Sequence, residues 1–219
     1  MKRAAVVLGA VALAALLVRP SSTSSPGGAS SPRPPPPAGE LDPVAVVAMA
    51  EADRWRGLVE TDAAAAPLLR DYWTAAGQAY PGPDAPWSGA FVQWVIRQTR
   101  PGSLPVSAKH HTYAAAAARN VGSLGRYGAF DASTTTPAPG DIIIRGRGVP
   151  LMTWADVAEP AGRTFDGHGD IVISRSGDSI AVVGGNVDQT VKLRTIALDA
   201  AGRAPGVVAV LRYQPRRLA

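Results

Sequence analysis

The hydrophobic period of this chain changes once, near Gly122, and that change limits the fold more than any other feature. Before it, apolar residues recur at helical spacing; after it, they come in short β-branched runs. Asp42-Pro43 reads as an N-cap followed by a first-turn proline. Val44, Val47, Ala48, Trp55 and Leu58 then share one helical face, interrupted only by Glu51. Further helices are predicted over 68–76, 87–99 and 107–119. Pro101 ends the second of these, and Tyr80-Pro81-Gly82-Pro83-Asp84 forms the turn before it. Past Gly122, residues 141–144, 170–174, 179–183, 190–193 and 207–211 read as strands, with Gly177-Asp178 as a hairpin turn. Helices first and an antiparallel sheet afterwards make an α+β domain, with the N-terminal helices packed on the C-terminal sheet. The stretch from Gly146 to Gly167 lacks a clear period, and a loop of that length is often functional.

The N-terminus is of another kind. Lys2 and Arg3 precede an apolar run from Ala4 to Val18, the pattern of a signal-peptide core. It is shorter than the roughly 20 apolar residues a membrane span needs. Residues 1–19 are therefore expected to be a signal peptide or an N-terminal membrane anchor. Residues 20–43, rich in Pro, Ser and Gly, bury too little to offset chain entropy and read as a disordered linker. The domain proper is expected over 44–219. This organisation implies export to the periplasm or cell envelope, with retention at the inner membrane if the leader is kept.

The chain has no cysteine. That excludes a lipoprotein anchor, disulfides, a thiolate zinc site and a thiol nucleophile. The formal charge is +5, of which Lys2, Arg3, Arg19 and Arg33 against Glu40 and Asp42 place +2 on the leader and linker. The remaining basic residues are scattered, apart from Arg212, Arg216 and Arg217 at the C-terminus. No nucleic-acid footprint results. A mild positive balance suits peptidoglycan or another anionic envelope polymer as partner.

Three separated segments carry residues with chemical capacity. Trp87-Ser88-Gly89-Ala90-Phe91-Val92 sets a hydroxyl at a helix start. Gly167-His168-Gly169-Asp170 sets an imidazole at the head of a strand, and Gly184-Gly185-Asn186-Val187 sets a carboxamide at the end of the next. A nucleophile at Ser88, a general base at His168 and an orienting amide at Asn186 follow the logic of papain-like catalysis. The helix dipole would stabilise a developing anion by up to about 1 kcal/mol. Asp170 shares a strand face with His168 and could supply the carboxylate that asparagine lacks. Plainer roles are available: Ser88 as an N-cap, Asn186 as a turn residue in left-handed backbone.

Ser107-Ala108-Lys109-His110-His111-Thr112-Tyr113 adds two histidines. His110 and Tyr113, three apart, share a helix face and could line a substrate cleft, as could Trp87 beside Ser88. Adjacent helical histidines diverge, so they make no metal site by themselves. Nothing in the sequence implies a cofactor. Trp55, Trp73 and Trp94 read as core.

These segments resemble the papain-like cell-wall hydrolases of the CHAP and NlpC type. In that group a Trp-Cys-Ala-x-Phe-Val pattern opens the nucleophile helix, and Trp87–Val92 is similar except for Ser88 and Gly89. Pro137-Ala138-Pro139-Gly140-Asp141-Ile142 resembles the strand entrance before the histidine. Gly167-His168 resembles the histidine strand, and Asp178 to Asn186 the next one, with Gly184 where many CHAP domains carry glutamate. The chain is more specifically similar to the bacterial domain of unknown function 2272, through Pro86-Trp87-Ser88, Ser107-x-x-His110-x-x-Tyr113 and Gly184-Gly185-Asn186-Val187. The resemblance spans roughly 45–215 and implies an amidase or peptidase acting on peptidoglycan with serine as nucleophile. The alternative it leaves is an inactive cell-wall or protein-binding module on the same fold.

Overall fold

Helix α1 (Pro43–Arg54) begins as its sequence dictates: Asp42 caps it, accepting from the Val44 N–H at 2.9 Å, and proline occupies the first turn. This start and everything that follows come from a computed structural model, which describes residues 41–147, 151–159 and 164–216. The expected leader and all but the last residues of the linker lie outside the described residues. Among those described, no helix is long and apolar enough to cross a membrane.

Glu51, which interrupts the apolar face of α1, is buried because it has a partner. It accepts from the Tyr72 hydroxyl, which in turn accepts from Trp55 Nε1 at 2.6 Å. Tyr72 and Trp73 lie on α2 (Ala66–Ala75). Helix α3 (Ser88–Thr99) follows, then α4 (His110–Arg119), which starts three residues later than its alanine content predicts. Segment 107–109 stays outside the helix, and the Ser107 Oγ accepts from the Lys109 N–H at 3.0 Å.

Six strands form one antiparallel sheet: β1 (Arg126–Asp131), β2 (Ile142–Gly146), β3 (Gly167–Ser176), β4 (Ser179–Val187), β5 (Thr190–Ala197) and β6 (Val207–Gln214). Their spatial order is β1-β6-β2-β3-β4-β5. The α+β expectation is met, and so is the hairpin at Gly177, whose φ of 56° suits glycine. Strand β1 was not anticipated. Its Gly128 and its charged ends dilute the β signal, and pairing with β6 supplies what propensity does not. A short helix, α5 (Trp154–Ala158), occupies part of the stretch read as loop, opened by a Thr153–Asp156 capping box.

The sheet has two unlike faces. Ile142, Ile144, Ile171, Ile173 and Val183 join the helices in the larger core. Ile143, Val172, Val182 and Val210, the alternate positions, make a smaller cluster on the other side with Ile180, Ala132, Leu198 and Ala204. Helix α3 lies directly on β4 at Gly185. A Cβ there would sit 2.5 Å from Phe91 Cβ and 2.8 Å from the Trp87 ring. That close approach fixes the start of α3 over the sheet.

Candidate functional site

Ser88 is the first residue of α3. It does not cap the helix; the cap position is Trp87, which makes no side-chain capping bond. The Ser88 Oγ instead lies 2.7 Å from His110 Nε2, and both side chains are buried. The other nitrogen of that ring, Nδ1, is hydrogen-bonded to the Tyr113 hydroxyl, one helical turn along α4. A bare Nε2 able to accept the serine proton requires the proton on Nδ1, with the phenol oxygen accepting it.

Two glycines make this contact possible. A Cβ on Gly89 would fall 1.9 Å from the Ala108 carbonyl oxygen, so segment 107–109 lies against the α3 backbone and delivers His110 to Ser88. A Cβ on Gly169 would stand 2.9 Å from His110 Nδ1 and 3.1 Å from the Tyr113 hydroxyl, so the imidazole occupies the space a side chain would take on β3.

Burial pushes the His110 imidazole down to about 3, helped by the nearby Arg147 charge. The ring is neutral at physiological pH. Burial, with the Asp170 charge nearby, raises the Tyr113 phenol well above its ordinary value. Ser88, Gly89, Lys109, His110 and His111 border a cavity of about 290 Å³, together with Trp73 and Phe165. The Trp73 indole N–H has no partner among the described residues. The N–H groups at the start of α3, beside Ser88, have no acceptor within the helix itself.

The structure places His168 elsewhere. In β3 the alternation sets Gly169, Ile171 and Ile173 toward the helices and His168, Asp170 and Val172 toward the opposite face. The His168 and His110 ring centroids are 6.2 Å apart. His168 Nε2 is 3.0 Å from Asp170 Oδ1, and its Nδ1 is 3.0 Å from an Arg147 guanidinium nitrogen. A carboxylate can only accept and a guanidinium can only donate, so the ring is the neutral Nε2–H tautomer with both nitrogens engaged. The expected Ser88–His168 pair is thus replaced by Ser88–His110. The imidazole that meets the serine comes from a helix, not from the strand.

Asn186 does not orient His168, since both ring nitrogens are taken. It sits at a bulge of β4 with φ 56° and borders a second cavity together with His168. Asp170 does share a face with His168, but it is fully buried and cannot meet a substrate. Burial alone would raise its carboxyl. The hydrogen bond from His168, with the Arg194 and Arg145 guanidinium groups at 2.6 and 2.8 Å, overcomes this and holds it well below the usual range. Gly184, where the papain-like resemblance expects glutamate, pairs with Asp170 across the strands. A Cβ there would lie 2.1 Å from Asp170 Oδ1, so the carboxylate enters from the neighbouring strand.

Trp87, expected as a cleft wall, is fully buried between Trp55 and Tyr72, at 5.0 and 5.8 Å between rings, and donates to Glu60 at 2.7 Å. It anchors the start of α3. Tyr113 is also buried and acts on His110 rather than on the cavity. His110 borders the cavity and is also the partner of Ser88. Sequence reasoning missed Trp73, Phe165 and Arg147 as neighbours of the site. The offset of three between His110 and Tyr113 was the available clue to a shared role. Among the described residues no three His, Asp or Glu side chains converge as metal ligands would.

Neither the curated proteins nor the solved structures contain a match to this chain. One family profile does match, over residues 46–214: a group described as uncharacterised proteins conserved in bacteria, domain of unknown function 2272. The chain belongs to that family.

Proposed function

We propose that this protein is an exported acyl hydrolase of the bacterial envelope, with Ser88 as nucleophile and His110 as general acid and base. The observation that carries the reading is the 2.7 Å contact between Ser88 Oγ and His110 Nε2 at the edge of a cavity. As Ser88 Oγ bonds to a carbonyl carbon, its proton passes to Nε2 and the carbonyl π pair moves onto oxygen. That oxygen faces the first-turn N–H groups of α3. Collapse expels the alcohol or amine, which takes the proton from His110. Water then attacks the acyl-serine, giving its proton to Nε2; as the C–Oγ bond breaks, Nε2 returns that proton to Ser88 Oγ and the carboxylic acid leaves.

The substrate favoured is an acyl group of a peptidoglycan peptide or another envelope polymer. The leader pattern and the resemblance to papain-like CHAP and NlpC hydrolases support this, with helices preceding an antiparallel sheet and the reactive residue at a helix start. Esters suit the site better than amides. His110 is a weak base when buried, and protonating it in the resting site costs roughly 5 kcal/mol more than in water. The helix dipole returns about 1 kcal/mol at most. The oxyanion formed a few ångströms away must supply the rest, and an alkoxide leaving group makes fewer demands than an amine.

The same property favours a second reading, a binding module that holds a wall peptide without turnover. A fluorophosphonate probe separates them. Covalent labelling at Ser88, lost in Ser88→Ala and in His110→Ala, supports the hydrolase. An unlabelled wild type that binds muropeptides without cleaving them supports the module.

A further inference from the structure

The face of the sheet away from Ser88 carries a second cavity, of about 340 Å³, bordered by Arg145, Arg147, Arg194, His168 and Asn186. Three guanidinium groups converge there from β2, the segment after it, and β5. One carboxylate, Asp170, is bound to two of them at 2.8 and 2.6 Å through one terminal nitrogen each. Neither Nε of Arg145 or Arg194 has a partner among the described residues. Arg147 is bound to the acceptor nitrogen of neutral His168, and among the described residues no carboxylate pairs with its guanidinium. The other acid at the rim, Asp188, is exposed and paired with Lys192 at 2.6 Å. The cavity therefore has an excess of two positive charges.

We propose that this cavity is an oxyanion-binding site, taking a carboxylate or phosphate group through Arg147 with Arg145, Arg194 and the Asn186 amide. The proposal does not rest on Ser88 being a nucleophile. Planar guanidinium donors fixed by a buried carboxylate are already ordered, so an anion meets them without a further entropic cost of ordering. Asp170 holds Arg145 and Arg194 from both sides of its strand, and His168 holds Arg147. The hydrogen-bonded chain Arg145–Asp170–His168–Arg147 thus sets the spacing of the donors. Asn186 reaches the cavity from a left-handed backbone position, and such conformations gather at ligand sites.

Inorganic phosphate and acetate, titrated into the full chain with histidine-selective nitrogen NMR, test this. Saturable shifts of the His168 ring nitrogens are expected with at least one anion, together with about tenfold or greater weakening in Arg147→Gln. That figure corresponds to losing one charge-assisted hydrogen bond. Response to phosphate alone assigns a phosphoryl ligand; response to acetate as well assigns a carboxylate. Among the described residues the Arg147 side chain makes one hydrogen bond, to His168, and its backbone N–H bond to Asp166 is kept in Arg147→Gln, so an unchanged melting temperature shows that the fold survives. A His168 signal that moves with neither anion overturns the proposal, as does equal binding by wild type and Arg147→Gln.

Discussion

Ser88 Oγ and His110 Nε2 are 2.7 Å apart although 22 residues separate them, and each belongs to the first turn of its own helix. The contact depends on Gly89, which lets the Ala108 carbonyl rest on α3. In Gly89→Ala the added carbon would meet backbone at 1.9 Å, which no rotamer change relieves. Overpacking of this kind costs about 1–3 kcal/mol or more. Urea unfolding should show that loss, and fluorophosphonate labelling of the folded fraction should fall with it as segment 107–109 is pushed away.

Gly169→Ala is the more selective perturbation. The new methyl would press on His110 Nδ1 at 2.9 Å and on the Tyr113 hydroxyl at 3.1 Å, both side-chain atoms that can move. Stability should drop by about 1–2 kcal/mol. Labelling should fall by at least about tenfold, because a shift of the ring breaks its bond to Ser88. Normal labelling kinetics in Gly169→Ala would count against His110 as the base.

The helical half and the sheet were legible because their periods are unlike, and the site was half legible for the same reason. Ser88 could be placed at a helix start from Pro86-Trp87-Ser88, and Asp170 beside His168 from an offset of two on a strand. Which face of the sheet His168 takes was not readable. That depends on Gly169 facing the helices, and Gly169 faces them because His110 fills its place. The displacement of His168 by His110 is a tertiary fact, set by Gly89 and Gly169 lacking a Cβ, while the sequence pattern around Gly167-His168 is compatible with either face. Trp87 illustrates the converse: a tryptophan next to a reactive serine suggests a cleft wall, but stacking on Trp55 and Tyr72 takes it into the core.

Tyr113→Phe tests the tautomer. Removing the hydroxyl leaves His110 Nδ1 unpartnered in a buried site, at about 1–3 kcal/mol. If the phenol orients the ring for proton transfer, acylation of Ser88 by the probe should slow by more than binding of the probe weakens. A change in binding alone would mark Tyr113 as a packing residue only.

Asp170→Asn removes the anion that holds Arg145 and Arg194 in place, leaving two guanidinium groups facing a neutral amide. Breaking a buried ion pair in this way costs about 3–5 kcal/mol. Chemical denaturation should register most of that cost. A loss below about 1 kcal/mol would show the arginines to be solvated and the cluster to be superficial.

Acid sensitivity follows from His110. Its folded value, about 3, lies below the ordinary histidine value of 6.5, so between these limits the unfolded chain binds the additional proton. Folding stability from this group is complete above about pH 6.5 and is lost as the pH falls toward 3, with a slope approaching about 1.4 kcal/mol per pH unit. Asp170, held below its usual range, adds the same sign only at lower pH, once unfolded carboxylates begin to protonate. Urea midpoints measured from pH 7.5 to 4.5 should therefore fall steadily in the wild type. In His110→Gln, which cannot take up that proton, the fall should be markedly shallower over the same range. Parallel curves for the two proteins would mean that His110 titrates freely, and that the imidazole beside Ser88 is open to water rather than enclosed.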